Sequence, residues 1–180
     1  MPLKNLLFSF HGRIRRRDWW LWSIALFLAQ TLATRVTETL LFGDDADLKV
    51  GNVGAWFFGT AAGAGPQWTA LVFGIVFLCP ALALILKRAH DRDRRGWELV
   101  AIHLVAMSGY LIPNDAFGVA GSAIDAGDWL AGGPLVAALM MVIASLYQLV
   151  VLGFLDGTPG PNPHGPSPKG IGGDTAEVFS

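Results

Sequence analysis

Three polar segments of the chain, residues 10–20, 87–97 and 157–168, contain the side chains best suited to binding a charged ligand. The first two are rich in arginine, and the third is a Gly- and Pro-rich stretch around Asn162. The planar guanidinium group suits phosphate, and basic pockets on the cytoplasmic side of membranes bind anionic headgroups. The segments therefore predict a candidate anion or lipid-headgroup site, formed by Arg13, Arg16, Arg88, His90, Asp91, Arg92 and Asn162.

A structural interpretation of the same charges is also open at this point and is the simpler one. In it, the arginines only fix the orientation of the chain in a membrane and form ion pairs with Asp18, Asp91 and Asp93. The two interpretations differ in whether a guanidinium group is available to a ligand.

Catalytic, metal and nucleotide sites are not predicted. His90 lacks a second histidine or a cysteine at ligand spacing, so capping or orienting is its expected role. No serine lies in a G-x-S-x-G context, and Gly157 to Gly160 lacks the Gly-Lys pair of a phosphate-binding loop. Acidic residues interrupt the basic segments, which argues against nucleic acid as a partner. We expect no cofactor.

The elements that must position these residues are transmembrane helices. Hydrophobic residues make up 53% of the 180 residues and charged residues 15%; soluble domains contain about 25% charged residues. No Asp, Glu, Lys or Arg occurs from Val50 to Leu86 or from Trp129 to Leu155. Because a helix needs about 20 apolar residues to cross the hydrocarbon layer, these runs predict an integral membrane protein.

The predicted fold is an all-α membrane protein with four transmembrane helices, at about residues 19–42, 68–86, 97–112 and 134–155. Residues 1–18 form a basic amphipathic segment with a short interfacial helix, whose apolar stripe is Leu3, Leu6, Leu7 and Phe10. Pro80 is expected to kink the second span. Residues 156–180 form a Gly/Pro-rich cytoplasmic tail.

The distribution of Lys and Arg predicts the orientation. Of the 13 such residues, five precede the first span and five separate the second span from the third. The two other loops contain only Lys49, together with six Asp residues. Because Lys and Arg stay on the cytoplasmic side, both termini are predicted to be cytoplasmic. This alternation requires an even number of crossings and so supports the short third span.

Polar residues inside the predicted spans suggest a rival function. Arg35 and Glu38 lie three residues apart on one face of the first span, and His103 lies in the third. In this alternative the protein is a small transporter or channel subunit in which the three side chains line a path. Their structural roles would instead be a snorkelling ion pair for Arg35 and Glu38 and an interhelical hydrogen bond for His103.

The three polar segments resemble the domain of unknown function 805 family, small bacterial inner-membrane proteins with three ordered motifs. The matching residues are Gly12, Arg13, Ile14, Arg16, Arg17 and Trp20, then Arg88, His90, Asp91, Gly96 and Trp97, then Gly157, Thr158, Gly160, Asn162, Gly165 and Pro168. Arg95, Glu98 and His164 depart from the family pattern. The resemblance covers nearly the whole chain, implies a multi-spanning protein of the bacterial inner membrane, and brings no established activity.

The sequence thus predicts a non-enzymatic inner-membrane protein, an assembly or anionic-lipid-interaction factor. Its expected partners are membrane lipids with anionic headgroups, and a membrane-protein partner or a second copy of the chain.

Overall fold

The computed structural model describes residues 2–42, 68–107 and 133–170. These ranges contain α1 Leu3–Phe8, α2 Arg16–Phe42, α3 Trp68–Val76, α4 Leu78–Asp91, α5 Trp97–Met107, α6 Gly133–Leu149 and the π-helix Val150–Phe154. No strand occurs in them, and their only β-type pairing is an isolated bridge between Asn162 and Gly165. The all-α prediction is confirmed for this part of the chain.

The described helices overlap the four predicted spans. The second span is divided into α3 and α4, with Phe77 between them. Pro80 has no N–H to donate to the carbonyl of Val76, so the helical hydrogen bonding is interrupted at this turn. It resumes when the amide of Ala81 donates to the carbonyl of Phe77 at 3.1 Å. The predicted third span extends beyond α5, and its last residues lie outside the described ranges.

Among the described residues, one helix has the length and apolar composition needed to cross a membrane. It is Arg16–Leu41, with 26 residues. The apolar helices Trp97–Met107 and Val142–Phe154 are shorter. The helix Arg16–Leu41 corresponds to the first predicted span.

The two faces of α2 have an unusual distribution of side chains. Between residues 21 and 40 it exposes an apolar stripe of Leu21, Ile24, Leu28, Leu32, Val36 and Leu40, which are 48–80% exposed. Its buried face includes the polar residues Ser23, Gln30 and Thr34. A helix on the surface of a soluble domain normally buries its apolar stripe and exposes its polar side chains. In α2 this arrangement is reversed.

The chain divides into two compact units. The first contains Met1–Leu26, Phe77–Ala101 and Leu149–Ser180, and the second contains Phe27–Val76 and Ile102–Gln148. The first unit therefore includes all three polar segments singled out in the sequence.

The core of the first unit contains buried residues from each of the three stretches of chain that form the unit. Its buried apolar residues are Leu6, Ile14, Trp19 and Leu26, then Leu84, Ile85, Ala89 and Leu99, then Val151 and Leu152. Trp20, Trp22 and Leu149 pack against this cluster. Segments far apart in the chain are thus held together by one apolar cluster, which determines where their polar side chains meet.

The short helix α1 packs on α4 in the first unit, with Leu6 buried between them. Its predicted apolar stripe is divided, because Leu3 and Phe10 remain exposed. The ammonium group of Lys87, a fully buried residue on α4, donates to the carbonyls of Asn5 and Leu6. A cation is favoured at the C-terminal end of a helix, where the last carbonyls lack partners within the helix. Lys87 therefore caps α1.

The turn between α4 and α5 requires a glycine. Gly96 has a φ of +79°, and a Cβ at this position would lie 2.7 Å from the Cβ of Ala89. Both the left-handed backbone and the close approach exclude a larger residue without strain. This turn brings Leu99 back into the core that contains Ala89.

Candidate functional site

The carboxylate of Asp91, at the C-terminal end of α4, is the centre of a buried hydrogen-bonded network in the first unit. One of its oxygens accepts from Nε and Nη2 of Arg13, at 3.1 and 3.0 Å. The other accepts from Nη1 of Arg88, one turn earlier on α4. The Arg13 and Arg88 side chains are each 1% exposed, and that of Asp91 is 4% exposed. One carboxylate is therefore shared by two buried guanidinium groups.

The guanidinium group of Arg13 also binds the tail. It donates to the carbonyl oxygens of Gly160 at 2.7 Å, Thr158 at 2.8 Å and Gly165 at 3.3 Å. Arginine has five N–H donors, and in Arg13 each has an acceptor in Asp91 or in these carbonyls. The side chain thus joins the N-terminal segment to α4 and to the tail.

The tail is held on α4 by its own donors as well. The amide and hydroxyl of Thr158 donate to the carbonyl of Asp91, at 2.8 and 3.1 Å. The side-chain amide of Asn162 donates to the carbonyl of His90 at 2.9 Å, and its side-chain oxygen accepts from the amide of His164 at 2.9 Å. Asn162 therefore closes a turn and also bonds that turn to α4.

Gly157 allows this close approach. A Cβ at residue 157 would overlap the carboxylate of Asp91. Any other residue would push the tail away from α4 and break the hydrogen bonds of Thr158.

Side-chain donors cap five consecutive carbonyls at the end of the π-helix. The donors are side chains of α2, of α4 and of Arg92, which follows α4, and the acceptors are residues 151 to 155. Arg88 donates to two of them, the carbonyls of Leu152 at 2.8 Å and Leu155 at 2.5 Å. The other three bonds run from Arg92 to Val151 at 3.3 Å, from Trp20 to Gly153 at 2.9 Å, and from Arg16 to Phe154 at 3.0 Å. The last carbonyls of a helix have no partners within the helix and carry partial negative charge. We call these four donor residues the carbonyl collar.

Burial shifts the titration of the cations in this region. It lowers the pKa of the Arg88 guanidinium, and the carboxylate of Asp91 opposes that shift. Burial also lowers the pKa of the Lys87 ammonium. Arginine remains charged at any accessible pH, so both guanidinium groups need a counter-charge inside the protein.

The imidazole of His90 lies beside this network. Its Nδ1 is 3.3 Å from the carbonyl oxygen of Gly12, and its ring stacks on that of His164 with centroids 4.0 Å apart. Burial lowers the pKa of His90, and the neighbouring His164 and His11 act in the same direction. Because the neutral ring is favoured, His90 orients the N-terminal segment and the tail as an uncharged group.

Comparison with known proteins shows the family to which the chain belongs. The model of the family described as "Protein of unknown function (DUF805)" matches residues 7–166. The chain belongs to this family. The uncharacterized protein YiiR of Escherichia coli strain K12 is 31% identical over 170 residues, which cover 92% of this chain and 89% of that protein. YiiR of Escherichia coli O157:H7 gives the same values. No solved structure matches the chain.

The seven residues of the candidate anion site all lie in the first unit of this DUF805 protein. Arg13, Arg88, Asp91 and Asn162 belong to the buried network, and His90 adjoins it. Arg16 and Arg92 are collar residues, and the side chain of Arg16 is 48% exposed and forms an ion pair with Asp156 at 3.5 Å. Binding of an anion by this group stays a prediction. In the structure, Arg13 and Arg88 use their guanidinium groups to hold the protein together.

Several residues of the network, the carbonyl collar and the cap of α1 were not singled out as site residues in the sequence. They are Trp20, Lys87, Gly157 and Thr158. Trp20, Gly157 and Thr158 matched the family motifs, and that match was the available signal. Lys87 gave no signal, because one lysine in a basic run does not reveal that it is buried.

The polar residues predicted to lie within the membrane fall in the second unit. Arg35 and Glu38 form an ion pair at 3.4 Å, and Glu38 also accepts from the hydroxyl of Thr69 at 3.1 Å. His103 is half-buried on α5. Within the described ranges, no group of three His, Cys, Asp or Glu residues is arranged to hold a metal ion. A transport path through Arg35, Glu38 and His103 stays a prediction.

Substitution of Asp91 tests the network. Asp91→Asn leaves two buried guanidinium groups without a counter-charge, which costs about 3–5 kcal/mol. For a chain of this size we expect a fall in Tm of roughly 10 °C in detergent, measured by intrinsic fluorescence. The matched control is Asp156→Asn, because Asp156 pairs with Arg16 at the surface, where an ion pair contributes about 1 kcal/mol or less. Equal Tm values for the two variants would contradict the assignment.

Proposed function

We propose that this DUF805 protein is a non-enzymatic, multi-spanning protein of the bacterial inner membrane that binds anionic lipid headgroups at the cytoplasmic surface. It crosses the membrane four times, through α2, through α3 with α4, through α5, and through α6 with the π-helix. Both termini are cytoplasmic. In this position it acts as an assembly or lipid-interaction factor, and its first unit is the part in contact with the headgroups.

The observation that carries the proposal is the reversed distribution of side chains on α2. An exposed stripe from Leu21 to Leu40 is unfavourable in water but has no such cost in hydrocarbon. Buried Ser23, Gln30 and Thr34 are the kind of residues that form interhelical hydrogen bonds in membranes. α6 supports the same environment, because Met140, Ile143 and Leu146 are exposed.

The carbonyl collar also suits a membrane boundary. A helix that ends near hydrocarbon cannot rely on water to satisfy its last carbonyls. Arg88, Arg92, Arg16 and Trp20 provide these hydrogen bonds from within the protein. Arginine and tryptophan are also the residues favoured at cytoplasmic membrane interfaces.

The headgroup contacts are assigned to exposed arginines rather than to the buried ones. Arg15, Arg17, Arg94 and Arg95 are exposed in the first unit, whereas Arg13 and Arg88 are enclosed. Exposed apolar side chains of the same unit, Phe8, Phe10 and Trp97, could enter the headgroup layer beside them. Cations next to amphipathic aromatic groups are the combination that binds anionic membrane surfaces.

Reporter fusions test the predicted orientation. We expect a fluorescent reporter that folds only in the cytoplasm to be active when fused after residue 93 or at the C-terminus. A reporter that requires export should be active when fused after residue 47 or residue 125. The reverse pattern, or an active cytoplasmic reporter at all four positions, would contradict four crossings with cytoplasmic termini.

Lipid enrichment tests the headgroup assignment. In nanodiscs with a minority of phosphatidylglycerol in phosphatidylcholine, we expect the triple variant Arg17→Gln, Arg94→Gln, Arg95→Gln to bind phosphatidylglycerol less tightly. Each arginine near an anionic surface contributes about 1 kcal/mol, or roughly fivefold in affinity. The control is Lys49→Gln, because Lys49 lies in a predicted non-cytoplasmic loop, outside the described residues. If the triple variant retains the wild-type enrichment, these arginines do not bind lipid.

A further inference from the structure

His90 and His164 form a stacked pair between α4 and the tail. Their rings are nearly parallel, with an interplanar angle of 6° and a centroid distance of 4.0 Å. Both residues are half-buried in the first unit. Two neutral imidazoles can stack in this way, whereas two imidazolium ions at this distance repel one another.

The pair is connected to all three polar segments. Nδ1 of His90 faces the carbonyl oxygen of Gly12 at 3.3 Å, so that the neutral tautomer protonated at Nδ1 donates to the N-terminal segment. The carbonyl of His90 accepts from the side chain of Asn162, whose oxygen accepts from the amide of His164. Separation of the two rings would therefore strain the turn that Asn162 closes.

The charged surroundings of the pair do not favour added protons. The N-terminal segment contributes His11, which acts on His90 directly, and Arg13, which belongs to the adjoining network. Asp91 ends α4, and Arg92 follows it. Asp91 is the acidic group in this set, and it is already shared by Arg13 and Arg88. Protonation of both rings would thus add two further positive charges to a region whose carboxylate is already paired with two guanidinium groups.

We propose that the His90–His164 stack is a pH-sensitive latch, which holds residues 157–168 on α4 near neutral pH and releases them when both rings are protonated. The proposal is independent of lipid binding. It adds a regulated opening of the buried Asp91 network to the functions considered above.

The direction of the pH dependence follows from the neutral state of His90. Burial lowers the pKa of His90 below its ordinary value of 6.5, with His164 and His11 adding to the shift and the Gly12 carbonyl opposing it. The released state binds protons more readily than the latched state, so latching is favoured by rising pH. The stability of the latch is fully present above pH 6.5 and is lost as the pH falls through the lowered pKa.

Hydrogen exchange in the tail measures the release. The amides of Thr158, Asn162 and Gly165 are hydrogen-bonded in the latched state, so they exchange slowly. We expect their protection in the full-length protein, corrected for the pH dependence of intrinsic exchange, to fall about tenfold between about pH 7.5 and pH 5. His164→Phe keeps a flat ring without a titrating nitrogen and so removes the repulsion between two charged rings, and its protection should change less with pH than that of the wild type.

His103→Gln is the matched control, because it removes a histidine of the second unit and should respond to pH as the wild type does. The proposal is overturned if wild-type protection does not change with pH. It is also overturned if His164→Phe loses protection as the wild type does, or if His103→Gln abolishes the response. Folding of each variant is checked by its Tm at neutral pH.

Discussion

Two buried guanidinium groups share the single carboxylate of Asp91, and the first unit depends on this sharing. A charge removed from water must be paired and hydrogen-bonded, or its desolvation destabilises the fold by several kcal/mol. Arg13 comes from the N-terminal segment, Arg88 from α4, and the carbonyls that complete their hydrogen bonding come from the tail and the π-helix. None of these segments can leave without exposing an unpaired charge or an unpaired carbonyl in the others. The network therefore makes the N-terminal segment and the described part of the tail one cooperative unit with α4 and the π-helix.

The carbonyl collar explains why the motifs consist of these residue types. The last five carbonyls before the tail need donors that reach from neighbouring helices, and arginine supplies several N–H groups from one side chain. Arg88 bonds to two carbonyls and one carboxylate through three different nitrogen atoms. Lysine could not replace it, because a lysine side chain carries all its N–H groups on one nitrogen. Gly157 is needed next to Asp91 because a Cβ at this position would overlap the Asp91 carboxylate. Thus the motif residues are explained by structure before any ligand is considered, and the proposed lipid contact is assigned to the arginines that remain exposed.

Much of this could be predicted from the sequence, because bilayer length and charge distribution constrain where helices lie. One charge-free run predicted the position of α3 and α4, and the other predicted that of α6 and the π-helix. The three polar segments indicated that Arg13, Arg88, Asp91 and Asn162 would lie near one another. The partners of each donor could not be predicted, since they depend on tertiary packing between segments more than 60 residues apart. The burial of individual basic residues could not be predicted either. The sequence does not distinguish Lys87 and Arg88, which are buried, from Arg94 and Arg95, which are exposed. The break at Phe77 agrees with the kink expected from Pro80, whereas the π-helix depends on local packing and could not be predicted from periodicity.

A double-mutant cycle between Arg13 and Asp91 measures the central interaction most directly. The free energy of unfolding in detergent is determined for the wild type, Arg13→Gln, Asp91→Asn and the double variant. Because the two groups are in contact and buried, we expect a coupling energy of at least about 1.5 kcal/mol, with the double variant less destabilised than the sum of the single variants. Additive effects, within about 0.5 kcal/mol, would show that the N-terminal segment and α4 are not held together through this carboxylate.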